Sequence, residues 1–194
     1  MSEMKIYLAS GSPRRREFLE NIGLDFEVIP SNVEEDMSQK ISITKLAKNL
    51  AYIKAKDIFD RTTGDRVVIG ADSMVYMGKT IFGKPKHIEH ARFMLKKLSG
   101  CWHRVITGLT VLVERDGVAR EYILYDITKV KFIKLSDGMI EEYLKSEEYR
   151  DKAGAYAIQG KANCYVEKVK GALSTVIGLP AYKLLKILQL EDVK

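Results

Sequence analysis

The sequence predicts an α/β domain built around a mixed β-sheet, and three observations carry that prediction. Short apolar runs alternate with helical patterns through the first half of the chain. The run 66–71 (RVVIGA) is continuously apolar after its first residue, as in a central strand covered on both faces. Two long strand-like segments, 104–114 and 121–134, flank Asp116-Gly117, a strong hairpin signal. The alternation calls for parallel pairing and the hairpin for antiparallel pairing, so the sheet is mixed rather than purely doubly wound.

The elements follow in order. Residues 4–9 (MKIYLA) form a short buried strand, and Ser10-Gly11-Ser12-Pro13 a turn. A helix then runs to about Ile22, with Ser12 as its N-cap, Pro13 at its first position and Gly23 as its stop. Residues 24–29 (LDFEVI) alternate as a half-buried strand, and the polar, acidic stretch Pro30–Ile41 is a loop. A second helix spans about Thr44–Phe59, with Leu46, Leu50 and Ile53 on one face. The strand 66–71 ends at Asp72, and Gly78-Lys79 turns the chain. Ile88, Ala91, Leu95 and Leu98 trace a third helix, ended by Gly100. After the hairpin come a helix over 137–146, a loop or strand edge over 154–160, a strand over 164–169, and a C-terminal helix opened by Pro180.

The chain has 194 residues, 46% of them hydrophobic, with no Pro- or Gly/Ser-rich linker and no internal repeat. That matches one domain, 1–194, with a sizeable core. MSEMKIYLAS lacks the apolar run of a signal peptide, and no run approaches the roughly 20 residues that span a bilayer. The expectation is a cytoplasmic protein with no membrane partner. The two cysteines, Cys101 and Cys164, make no C-x-x-C unit, which argues against a disulfide framework or a zinc site. A net charge of +6 attracts anions without choosing among them.

Four places carry candidate chemistry. At Ser10–Arg16 a strand ends and a helix begins, and a helix N-terminus exposes N–H groups that bind phosphate. Arg14, Arg15 and Arg16 in the first turn have the wrong sign for the helix dipole, by about 0.3–1 kcal/mol each when exposed. A bound anion reverses that balance; the alternative is a solvated basic turn. Asp72, at the end of a buried strand, stands where α/β folds place ligands. Its roles are metal ligand or water activator, against helix cap or salt-bridge partner. Glu34-Glu35-Asp36 offers oxygen ligands suited to Mg²⁺ or Mn²⁺, or else a plain solvent-facing surface. Lys84, in Phe82-Gly83-Lys84-Pro85, and Lys54, on the second helix, are point charges for phosphate or ordinary surface lysines.

Other signals are weaker. Gly78-Lys79-Thr80 is no P-loop, because Ser73 stands where a glycine is required. His87 and His90 share a helix face without a third ligand, so exposure to solvent is the better reading. His103 is a candidate for orienting a loop.

Taken together, Ser10–Arg15, Gly70-Ala71-Asp72, Gly83-Lys84-Pro85, Leu98–Gly108, Asp151–Gly160 and Val176–Pro180 stand in order along almost the whole chain. This set resembles the Maf family. The resemblance implies a two-lobed α/β fold around a mixed, elongated sheet, similar to the inosine triphosphate pyrophosphatases. It implies hydrolysis of nucleoside triphosphates between the α- and β-phosphates with a divalent metal, Mg²⁺ or Mn²⁺, in a homodimer. The family's catalytic and metal-associated aspartate falls on Asp72 and its acidic partner on Glu35. The phosphate-binding residues fall on Ser10, Arg14, Arg15, Lys54 and Lys84.

Two positions depart from the pattern: Ser73 replaces threonine after the aspartate, and Ala157 replaces glycine before Ile158-Gln159-Gly160. In the family, the IQG at Gln159 goes with the dTTP/UTP branch. An amide carries both a donor and an acceptor, which complement a uracil or thymine edge. Base recognition is therefore expected from Gln159, with Ser73 adding a hydroxyl. The alternative is that Gln159 only ties down its own loop. Two rivals to this reading are a pyrophosphatase for a modified guanine or other purine nucleotide and a non-enzymatic nucleic-acid-binding or cell-division regulator. No basic stripe interleaved with aromatics supports the second, so no specific nucleic-acid partner is expected.

Overall fold

The structure, a computed structural model, describes residues 4–36 and 41–193. Residues 37–40 of the expected acidic loop, and both extreme ends of the expected domain, lie outside the described residues. Strands β1 (Lys5–Leu8), β2 (Glu27–Val28), β3 (Arg66–Met77), β4 (Thr80–Phe82), β5 (Trp102–Arg115), β6 (Val118–Phe132) and β7 (Val166–Lys170) form one sheet. Its order is β2-β1-β3-β5-β6-β7, with β4 paired to β3. β1 runs parallel to both β2 and β3, whereas β3–β4 and β6–β7 are antiparallel. The sheet is thus mixed, as predicted. The hairpin β5–β6 turns on Asp116 and Gly117, at φ 51° and 74°, the pair of left-handed residues that a two-residue turn requires.

The helices are α1 (Pro13–Asn21), α2 (Ile43–Arg61), α3 (Ile88–Leu98), α4 (Asp137–Lys145), α5 (Leu173–Ile177) and α6 (Ala181–Leu190). Three expectations need correction. β3 does not end at Asp72 but runs on to Met77, because Val75–Met77 find partners in β4. The strand signal 24–29 shrinks to Glu27–Val28, the two residues that pair with β1. Ser12 occupies the N-cap position of α1, but its side chain makes no capping bond. β4 and the short α5 escaped the periodicity, being too brief to show one.

The chain divides into two compact units: Met1–Asp72, Thr107–Asp126 and Gly178–Lys194 form the first, Ser73–Ile106 and Ile127–Ile177 the second. In the first unit the strands are buried on both faces, in period two. Ile6, Leu8, Val67, Ile69, Ala71, Leu109, Val111 and Val113 pack with Leu19 of α1 and Leu184, Ile187 and Leu188 of α6. The alternate residues Tyr7, Val68 and Leu112 pack with Ala55 and Ile58 of α2. Each strand therefore reads as a continuous apolar run. The second unit has its own core. There Phe132, Tyr143, Tyr156 and Tyr165 join the apolar faces of α3 and α4, with ring pairs at 71–72° to one another.

Two glycines set the seat of α2. A Cβ on Gly70 would stand 2.5 Å from the Ala51 carbonyl oxygen and 2.8 Å from Ala55 Cβ. A Cβ on Gly108 would stand 2.6 Å from the Ala47 carbonyl carbon. Ala47, Ala51 and Ala55 recur every four residues, so a smooth stripe of the helix rests directly on the backbones of β3 and β5.

Candidate active site

The first unit gathers most of the expected residues. β1 ends at Leu8, and its register with β3 places Leu8 opposite Ile69. Ser10 and Asp72 thus both lie just past the last parallel pair, where β1 ends while β3 runs on, and the end of a parallel strand leaves room for ligands. Val68, Gly70 and Asp72 share the face of β3 that meets α2. Lys54 precedes Ala55, the residue seated on Gly70, and so stands beside Asp72.

Its ammonium is held by two carboxylates. Lys54 Nζ donates to Asp72 Oδ1 at 2.6 Å and pairs with Glu35 Oε1 at 2.7 Å. The Lys54 and Asp72 side chains are 13% and 11% exposed, so this pair sits largely out of water, while Glu35 remains 41% exposed. Asp72 is therefore a salt-bridge partner, one of the alternatives open at the outset, and its acidic neighbour is Glu35 rather than Glu34 or Asp36. Two hard oxygen donors meet at one cationic point. Among the described residues, no three or more His, Cys, Asp or Glu side chains gather in this way. Mg²⁺ at nucleotide sites commonly takes one or two carboxylates together with phosphate oxygens. The pair Glu35 and Asp72 fits that donor set.

Arg15 forms the adjoining corner. It is buried, 8% exposed, although it lies in the first turn of α1. Its Nη1 donates to Ser10 Oγ at 2.7 Å, and its Nε donates to the Gly178 carbonyl oxygen at 2.7 Å. Burial pulls the guanidinium below its usual range and Arg14 adds to this, while Asp72 and, more weakly, Glu35 oppose it. The Ser10 hydroxyl also accepts from the Ser12 N–H at 3.3 Å. Arg14 is half-buried. Arg16 is turned outward and pairs with Glu20 at 2.7 Å. The compact basic run thus divides into one clamped, one half-buried and one surface arginine, a distinction that composition does not make.

The second unit holds Ser73, Lys84 and Gln159. Ser73 is half-buried on β3, and Lys84 and Gln159 are exposed. Gly154 N–H donates to the Gly83 carbonyl at 3.1 Å, which joins the segment carrying Lys84 to the loop carrying Gln159. That loop is tied elsewhere: Ala157 N–H donates to Tyr143 Oη at 3.3 Å, and Lys161 N–H to Glu148 Oε2 at 2.8 Å. Ala157 lies outside the left-handed region, so its methyl is accommodated without strain. Gly178, Tyr143 and Glu148 were not foreseen as partners of these residues. A carbonyl oxygen carries no sequence signal, and the two side chains act across long separations.

His87 and His90 play local parts. His87 caps α3, accepting at Nδ1 from His90 N–H at 3.2 Å, and His90 Nδ1 accepts from Lys86 N–H at 3.3 Å. His103 is buried, with Nε2 2.9 Å from Tyr156 Oη. Burial holds its pKa down to about 4, although the Cys101 backbone favours the charged ring.

The chain matches the Maf-like protein family over residues 5–191. It is 47% identical to a dTTP/UTP pyrophosphatase of Alkaliphilus oremlandii over 93% of this chain and 92% of that one. It is 46% identical to a dTTP/UTP pyrophosphatase of Aquifex aeolicus over 96% of this chain and 95% of that one. Among solved structures, a HAM1 protein from Coxiella burnetii aligns with 96% of this chain and 99% of its own, at 15% identity and a TM-score of 0.47.

Proposed function

We propose, from the premise that the chain belongs to the Maf family, that it is a nucleoside triphosphate pyrophosphatase that releases pyrophosphate from dTTP and UTP. The observation that carries this reading is the Lys54 ammonium held between Asp72 and Glu35 beside the buried Arg15. Two cations and an anion largely out of water, Lys54, Arg15 and Asp72, with Glu35 at their edge, are costly unless they serve a charged ligand or an exceptionally well-paired core.

Water attacks the α-phosphorus. Asp72 accepts its proton and Lys54 orients the Asp72 carboxylate. Arg14, Arg15 and Lys84 counter the charge on the triphosphate and on the departing pyrophosphate, and Ser10 holds the Arg15 guanidinium in place. Glu35 and Asp72 are the residues that would hold a divalent cation, Mg²⁺ or Mn²⁺. When bound, such a cation neutralises phosphate charge and polarises the scissile bond. Ser73 and Gln159 read the pyrimidine edge, and purine triphosphates leave those polar groups unpaired. The same reading makes the chain a single functional domain that works as a cytoplasmic homodimer without a specific nucleic-acid partner. Among the described residues, no helix is long and apolar enough to cross a membrane.

The test is a panel of normal and modified nucleoside triphosphates with Mg²⁺, Mn²⁺ or chelator, read out as pyrophosphate. The expected result is metal-dependent pyrophosphate release, fastest with dTTP and UTP. In ¹⁸O-water the label enters the monophosphate. Orthophosphate as first product, or label in pyrophosphate, overturns the reaction. A methylated guanine nucleotide as the better substrate overturns only the base preference.

A further inference from the structure

The loop that carries Gln159 has an uncommon backbone. Gly154 and Ala155 are both left-handed, at φ 72° and 60°. Ala155 is fully buried and has a Cβ, for which that conformation is unfavourable. Such residues persist only where their surroundings over-determine them. A Cβ on Gly154 would come within 3.0 Å of Val75, so the loop is pressed onto β3 with no slack.

A buried polar contact between side chains helps to anchor the stem of this loop. His103 Nε2 lies 2.9 Å from Tyr156 Oη, and the two residues are 1% and 4% exposed. Tyr156 is followed by Ala157, whose carbonyl accepts from Gly160 N–H at 3.1 Å and closes the turn that bears Gln159. The His103 ring also packs edge-on against Phe132, centroids 4.9 Å apart at 81°. A phenyl ring would serve that packing equally well. What the imidazole adds is a hydrogen bond with the Tyr156 hydroxyl. Its other nitrogen, Nδ1, is buried and makes no well-formed hydrogen bond, the Cys101 backbone being the polar group that favours the charged ring, so the histidine stands here against its own solvation.

We propose that His103 is a positioning residue for base selection: by its hydrogen bond with Tyr156 it fixes the strained 154–160 loop and so aims Gln159 at the base. This rests on the reading of Gln159 as the base-recognition residue. His103 acts on which nucleotide is accepted rather than on phosphoryl chemistry.

The experiment compares wild type, His103→Phe, His103→Gln, Tyr156→Phe, the double variant His103→Phe/Tyr156→Phe, and Gln159→Ala. The readout is kcat/KM for dTTP divided by that for GTP, with Tm measured alongside. His103→Phe and Tyr156→Phe each lower the ratio about tenfold, with kcat on dTTP changed by less than about threefold. The double variant lowers it no further than either single one, because both remove the same bond. His103→Gln, which retains a hydrogen-bonding group, recovers most of the ratio. If His103→Phe does not fold, Tyr156→Phe, which deletes one oxygen atom, decides the matter. A lowered Tm with an unchanged ratio in a folded Tyr156→Phe variant overturns the proposal while Gln159→Ala still shifts the ratio. An unchanged ratio in Gln159→Ala removes the base-recognition reading itself, and the proposal with it.

Discussion

Substitution of Gly70 by alanine tests how the first unit places Lys54 beside Asp72. The new Cβ would stand 2.5 Å from the Ala51 carbonyl oxygen, against ordinary contact near 3.4 Å. Backbone oxygen cannot swing aside, so α2 must retreat by about 0.9 Å over its central turns to restore a normal separation. Overpacking of this kind costs about 1–3 kcal/mol. For a chain of this size each kcal/mol lowers Tm by about 2–4 °C, giving a fall of about 2–12 °C. The helix carries Lys54 with it, and a misplacement near 1 Å costs up to about 10²-fold in rate. Expected, then, is a folded Gly70→Ala protein with lowered Tm and kcat reduced about 10–100-fold, measured by pyrophosphate release from dTTP. Gly138→Ala is the control. Its Cβ meets nothing closer than Ser136 Oγ at 3.8 Å, and its backbone is unstrained, so Tm and kcat stay near wild type. A Gly70→Ala protein with wild-type Tm and kcat would refute the close seating of α2 on β3.

Other predictions follow from the same geometry. Asp72→Asn folds but loses about 10²–10⁴-fold in turnover, the usual scale for a general base; turnover near wild type in a folded variant removes Asp72 from the chemistry. Arg15→Ala raises KM and also lowers stability by about 1–3 kcal/mol, because it strips partners from Ser10 Oγ and the Gly178 carbonyl. A raised KM with an unchanged denaturation midpoint would mean that the clamp has no structural weight. His103 contributes a pH dependence whose sign is fixed. Its folded pKa of about 4 lies below the unfolded value of about 6.5, so the unfolded chain binds the extra proton between these limits. Stability attributable to this residue is complete above pH 6.5 and falls by about 3 kcal/mol as pH drops to 4. The His103→Gln variant, compared with wild type by urea unfolding across that range, shows the shallower curve; parallel curves would exclude a buried neutral histidine.

The residues that carry periodicity or turn chemistry announced themselves: the two-faced run 66–71, the Asp116-Gly117 hairpin, and Pro13 at the start of α1. What stayed hidden depended on partners far along the chain. Nothing local shows that β3 continues past Asp72, because its last residues are strand only by virtue of β4. Similarly, the three arginines look alike as a run, and only the packing of α1 buries Arg15 and exposes Arg16. Within the candidate site, Glu35, Lys54 and Asp72 were each legible as alternatives between surface and function. Their convergence on one ammonium needs the fold. Gly70 and Gly108 belong to motifs that could be read at once, yet their purpose is visible only when α2 lies on them.

The Arg15–Gly178 bond joins residues 163 positions apart. At about 5–20 residues per second, a ribosome finishes Gly178 some 8–30 s after Arg15. Until then the guanidinium lacks the carbonyl that fixes it, and the corner it forms with Ser10 is incomplete. A premature stop after α5 would leave that corner open permanently, with α6 missing from the core that backs β1. The Arg15 corner is thus assembled only once the segment after α5 has been made, and on the proposed function a product truncated there is expected to be inert toward nucleotides, not merely less stable.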